Sequence, residues 1–187
     1  MPYDQDRHHR RSIRLQGYDY SQAGAYFVTM CAWERECLFG EITAEGNLQL
    51  NEYGQAVETV WESLPDRFQS IDIDAFVIMP NHVHAIIVIA ESVDHPVGAI
   101  HELPLQRPLD RRKMLLPKML GYFKMNAAKQ INLLRQTPGI PVWQRNYYER
   151  VIRDEAELNS TRQYIASNPT RWADDQDNPA VWKNVQR

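Results

Sequence analysis

Several features that commonly define a protein class are scarce in this chain. Its 187 residues hold two cysteines, Cys31 and Cys37, and no CxxC pair. That spacing argues against a zinc ribbon or a thioredoxin-type site and leaves reduced, structural thiols. No apolar run is long enough to cross a bilayer, and the opening segment lacks a secretory h-region. The expectation is a cytoplasmic protein with no membrane partner. Internal repeats and low-complexity stretches are missing as well. Positive charge is not in excess, since the formal net charge is −3.

What is present is ordinary in amount and uneven in distribution. Apolar content of 43% and charged content of 24% suit one compact globular domain at this length. The positive residues gather in two places. Arg7, Arg10, Arg11 and Arg14 crowd the N-terminus, and Arg107, Arg111, Arg112, Lys113, Lys118, Lys124, Lys129 and Arg135 form a second group. Phosphate binding needs only such a local surface, whatever the net charge. Each cluster taken alone is more often a solvated face than a binding site.

Periodicity divides the chain into alternating elements. Residues 25–33 are β-branched and aromatic and read as a buried strand. A turn region follows through Gly40 and Glu45-Gly46. Asn51 then caps a helix carrying Val57, Val60, Trp61 and Leu64 at helical spacing, with Pro65 at its end. Residues 75–79 and 82–89 form two strands around Pro80-Asn81, which reads as a tight hairpin turn. Residues 91–110 show no period and read as a long loop. A helix over about 116–134 follows, then a strand over 143–152 and a helix from the Asp154 cap to about Asn168. The order β-α-β-β-α-β predicts an α+β, ferredoxin-like antiparallel sheet with helices on one face and an added C-terminal helix. The expected divisions are a basic arm over 1–20, one domain over 21–172 and a tail over 173–187.

Two pairs of residues carry the chemistry. Side chains alternate along a strand, so His82 and His84 project to one face while Val83, Ala85, Ile87 and Ile89 take the other. Two adjacent imidazoles can share one divalent ion; two polar residues on a partly exposed sheet face are the plainer reading. On the last helix Tyr164 and Asn168 lie four residues apart, one turn from each other. The Asn168 amide oxygen suits a hard cation such as Mg²⁺ or Mn²⁺ as a third ligand. A core tyrosine and a helix-end cap remain the alternative.

Taken in order, Pro80-Asn81-His82-Val83-His84 and Tyr164-Ile165-x-x-Asn168-Pro169 resemble the pattern of single-tyrosine HUH transposases. Arg10-Arg11-Ser12-Ile13-Arg14 and Trp143-Gln144-Arg145-Asn146-Tyr147-Tyr148 resemble more specifically the REP-associated tyrosine transposases. The resemblance runs from about residue 10 to 172. It implies His82, His84 and Asn168 as ligands of Mg²⁺ or Mn²⁺, and Tyr164 as a nucleophile forming a 5′-phosphotyrosine link. It also implies a partner, single-stranded or hairpin DNA, and a monomer or homodimer. Rejoining through the covalent link needs no nucleotide cofactor, in keeping with the missing GxxxxGK[ST] loop. Arg11, Arg14, Lys118, Lys124, Arg145 and Arg150 are the candidates for phosphate contacts, and Trp143 for base stacking, with a core position as the alternative for Trp143. One departure is visible. Relatives often carry an Asp-His pair where this chain has Glu149-Arg150, so DNA contacts near Arg150 can differ.

Two competing readings stand beside this one. A nucleic-acid-binding module without catalysis would use the basic surfaces alone. An unrelated metal hydrolase would use His82 and His84 with a water nucleophile, leaving Tyr164 without a role.

Overall fold

The computed structural model describes residues 18–90, 114–175 and 177–181. The main sheet has four antiparallel strands in the order β4-β5-β1-β6: β1 Gly24–Cys31, β4 Ile71–Met79, β5 His82–Ile89 and β6 Tyr148–Ile152. Counted without the small hairpin, this is the ferredoxin-like order that the element sequence predicts. Helices α1 (Glu52–Glu62) and α3 (Leu115–Leu134) cover one face and α4 (Glu155–Ser167) the other.

Local chemistry accounts for the helix starts. The Asn51 side chain accepts from the backbone N–H groups of Tyr53 and Gly54, and Asp154 accepts from that of Glu157. Both satisfy donors that a helix start leaves unpaired, worth about 1 kcal/mol each. α1 ends before a short helix α2 (Leu64–Arg67), with Pro65 in its first turn, where the missing N–H costs nothing.

The strand faces follow strict alternation except at one place. A bulge at Asp74 interrupts the pairing of β4 with β5. It shifts the alternation by one residue, so Ile71 and Ile73 before it and Phe76 and Ile78 after it all join the α1/α3 core. The sequence pattern breaks there, which is why β4 reads as beginning at Ala75 when it begins at Ile71.

Other boundaries also differ from expectation. The turn region around Gly40 contains a hairpin, β2 (Gly40–Ile42) and β3 (Leu48–Leu50), whose three-residue strands are too short to show a period. Its turn is closed at Gly46, whose φ of 81° is a conformation that favours glycine. The last strand spans five residues, not ten. Trp143 makes only an isolated bridge to Ala32, and the Lys124 ammonium collects the carbonyls of Gln144, Arg145 and Asn146, holding that segment away from the sheet. The first strand ends at Cys31 because Trp33 begins a tight 3-10 turn.

The proposed arm and tail both have packed portions. Tyr20 is buried and stacks near Tyr18 and Tyr26. At the other end Asn178 is buried, and its side chain donates to the Trp172 carbonyl. The domain thus reaches beyond the expected limits of 21 and 172. The long loop over 91–110 lies outside the described residues. Among the described residues no helix is long and apolar enough to cross a membrane.

Candidate functional site

The site lies on the α4 face of the sheet. Pairing in β5 places His82 opposite Cys31 and Met79, and His84 opposite Thr29 and Val77. The two imidazole centroids stand 4.4 Å apart. The expectation of a partly exposed sheet face is corrected here, because His82 is 0% and His84 4% exposed. Phe27 stacks on His84 at 5.4 Å, α4 crosses above, and the Trp172 ring approaches His82 at 6.1 Å. A strand pattern shows which residues share a face and not what covers it.

α4 brings the second pair onto the first. The Tyr164 hydroxyl lies 3.2 Å from His84 Nε2, across 80 positions of sequence. Asn168 caps the helix end and is buried, while the Tyr164 ring stays 41% exposed. Tyr164 opens onto a groove of about 610 Å³ lined by Ser160, Gln163, Ala166, Ser167 and Arg171. Tyr164 is therefore open to solvent on one side while the two histidines are buried.

The polar atoms of the site are unevenly satisfied. His84 Nδ1 meets the Thr29 hydroxyl at 2.8 Å, and His82 Nδ1 meets Asn81 Oδ1 at the same distance. His82 Nε2 and Asn168 Oδ1 are buried with no hydrogen-bond partner. Buried orphan acceptors are costly and uncommon, and each calls for an explanation. A divalent cation would supply one, since an amide oxygen and an unprotonated imidazole nitrogen each offer a lone pair. Among the described residues no three His, Cys, Asp or Glu side chains gather to hold a metal. Two imidazoles and an amide oxygen are donors of the kind that would suit Mn²⁺ or Mg²⁺.

Burial sets the protonation states. It holds the His84 pKa down at about 3. It pushes His82 well below the ordinary imidazole range, helped by the neighbouring His84 and Arg35. Both rings are neutral at physiological pH, as ligands must be. Burial raises the Tyr164 phenol above its ordinary value, only partly opposed by Asn168 and Arg171. By itself the protein keeps this hydroxyl protonated.

The remaining sequence candidates divide. Arg150 lies on the α4 face, beside Phe27 and held to Glu157 at 3.3 Å and Thr161 at 3.2 Å. Lys118 and Arg145 are exposed, but Lys118 is on α3, across the sheet from Tyr164. Lys124 is engaged with three backbone carbonyls, which makes it a brace for the 144–146 segment. Trp143 takes the core position that was its alternative, buried between Phe39 at 4.9 Å and Phe123 at 5.5 Å, and not an open stacking position. Arg11 and Arg14 lie outside the described residues. Sequence reasoning missed Thr29, Asn81 and Arg171. Asn81 stood inside the motif but read as turn chemistry, while Thr29 and Arg171 carry no local signal.

No family model matches the chain. An uncharacterised protein of Haemophilus influenzae is 40% identical over 175 residues, covering 93% of this chain and 96% of that one. A second Haemophilus influenzae protein, provisionally named a REP-associated tyrosine transposase, is 29% identical over 153 residues, 82% of this chain and 74% of its own. Among solved structures, a REP-associated tyrosine transposase bound to a REP hairpin shares the fold at a TM-score of 0.51 and 18% identity, covering 93% of this chain and 86% of that one. Sequence likeness over most of the chain and a common fold point the same way: the chain is similar in sequence to a protein provisionally named a REP-associated tyrosine transposase and shares its fold with a solved one.

Proposed function

We propose that this protein nicks and rejoins single-stranded DNA through Tyr164, acting on strands that carry a hairpin. One observation carries the reading: the Tyr164 hydroxyl meets His84 Nε2 at 3.2 Å, and on the same strand and at the same helix end His82 Nε2 and Asn168 Oδ1 are buried without hydrogen-bond partners. The hairpin preference follows from kinship, since the solved relative is bound to a REP hairpin.

The chain's own residues supply positioning. α4 holds Tyr164 on a groove that Arg171 also lines, and there Arg171 can pair with a phosphate entering from solvent. His82, His84 and Asn168 would hold Mg²⁺ or Mn²⁺. That cation would offset charge on the scissile phosphate and favour the phenolate that burial disfavours. In the cleaving step Tyr164 gives its proton to water and its oxygen bonds to phosphorus. The phosphorus–O3′ bond breaks, and the 3′ oxygen takes a proton. The product is a 5′-phosphotyrosine and a free 3′-hydroxyl. Rejoining reverses these changes, with a 3′-hydroxyl displacing Tyr164.

The decisive experiment uses end-labelled hairpin DNA with a single-stranded flank and looks for a covalent adduct on a denaturing gel. The intact protein with Mn²⁺ should form it. Chelation and Tyr164→Phe should each abolish it, and Tyr164→Phe should still bind DNA with an affinity that falls steeply with salt. Tyr148→Phe should keep the adduct, although Tyr148 packs on the same face against Phe27. An adduct from Tyr164→Phe would place the nucleophile elsewhere, and equal cutting of a full duplex would remove the hairpin preference.

A further inference from the structure

The two ring nitrogens of His82 are in opposite situations. Nδ1 lies 2.8 Å from Asn81 Oδ1, whereas Nε2 is buried without a partner. A neutral imidazole has one donor and one acceptor nitrogen, and its own position does not reveal which is which. Here the neighbour decides. The Asn81 side-chain nitrogen donates to the Arg35 carbonyl at 3.1 Å and to the Asp177 carbonyl at 2.7 Å. Only the NH₂ end of an amide can serve two carbonyls. A flipped amide would set its oxygen against both of theirs. The amide oxygen must therefore face His82, and as an acceptor it requires the proton on Nδ1.

We infer that Asn81 is a positioning residue that fixes His82 as its Nδ1–H tautomer and keeps Nε2 free as a ligand. What fixes Asn81 comes from two distant parts of the chain. Glu34 and Arg35 both take positive φ, 53° and 56°, a conformation that L residues avoid and that tertiary contacts must impose. That turn presents the Arg35 carbonyl. The Arg35 side chain pairs with the Asp177 carboxylate, and Asp177 presents the second carbonyl. The segment beyond α4, which by sequence looks like a tail, thus helps to set a proton on a strand histidine. Asn81 itself is 1% exposed, so solvent offers no alternative partners.

The consequence for metal binding rests on the ligand role given to His82 above, whereas the tautomer does not. The test begins with the intact, metal-free protein labelled with ¹⁵N-histidine. Long-range ¹H–¹⁵N correlation should show His82 protonated at Nδ1 and bare at Nε2, and Asn81→Ala should move it to a mixture of the two forms. An Nε2–H form in the unmutated protein overturns the inference, whether or not the variant folds. Calorimetry with Mn²⁺ alone then tests the consequence. Asn81→Ala should weaken binding about 10- to 100-fold, as losses of partners behind a metal ligand typically do. In a His82→Ala background it should cost nothing further. An equal loss in both backgrounds means that Asn81 does not act through His82. If His82→Ala binds Mn²⁺ as well as the unmutated protein, the metal reading fails, and the tautomer measurement still decides the role of Asn81.

Discussion

The two faces of the sheet are built for different purposes. Under α1 and α3 lies an extended apolar cluster centred on Trp61, Phe123, Met30 and Ile87, all fully buried. Under α4 the apolar cluster among the described residues has four buried members, Phe27, Ile86, Ile152 and Ile165. Partly buried Ala75, Val77 and Leu158 flank it, and beside it stand imidazole, amide, hydroxyl and guanidinium groups. The α4 helix is further tied down by the Arg162 fork on Asp74, the bulged residue of β4. One face holds the fold, and the other spends apolar area on a site whose polar atoms are left partly unmatched. A helix held by few apolar contacts can be aimed by a side-chain clamp, which a large core would not permit.

Substitutions on each face should separate these purposes. Trp61→Ala, on the α1/α3 face, should cost about 3–5 kcal/mol in denaturant unfolding. Well below its melting temperature, that variant should form adduct at the normal rate per folded molecule. A proportional loss of adduct would show that the two faces are not independent. Ile165→Ala, one residue from the proposed nucleophile, should cost about 2 kcal/mol, the low end for such truncations, because its cluster is small. Its adduct formation should fall more than its stability, as read by single-turnover cleavage.

Acid should sharpen the contrast. The unfolded chain takes up a proton at His84 near the ordinary value of 6.5, whereas the folded metal-free protein resists until about 3. The unfolded state then binds more protons, so stability is complete above about 6.5 and is lost as the pH falls toward 3. For His84 alone the loss is on the order of 2 kcal/mol by pH 5. His82, also shifted down by burial, adds in the same direction. Unfolding midpoints at pH 7.5 and 5 should differ clearly, and the difference should shrink in His82→Ala/His84→Ala. If it does not shrink, the acid sensitivity resides in other groups. The smallest effect on stability is expected from Arg162→Ala. Its ion pair with Asp74 is partly exposed, so the melting temperature should barely move. Adduct formation should still drop several-fold, since the clamp orients α4. An unchanged rate would assign that role to the apolar cluster.

How much of this was legible depends on the range of each interaction. The caps at Asn51 and Asp154, the tight turn at Pro80-Asn81 and the shared face of His82 and His84 follow from chemistry within a few residues. The one-turn spacing of Tyr164 and Asn168 follows from helical geometry in the same way. The order of elements then limits the sheet to few topologies, and the ferredoxin-like one is observed.

Contacts between distant segments were beyond that range. The sequence alone determined that two imidazoles stand side by side and that a tyrosine stands one turn from an amide. Only the tertiary structure decided that α4 lands on the histidine face and that the histidines are buried. It also decided that Trp143 turns inward, that Lys124 braces carbonyls, and that Asp177 reaches Asn81 across 96 positions. Periodicity encodes which way a side chain points, because backbone geometry repeats along the chain. What it points at is decided by packing among elements that are far apart in sequence, and no local pattern records that.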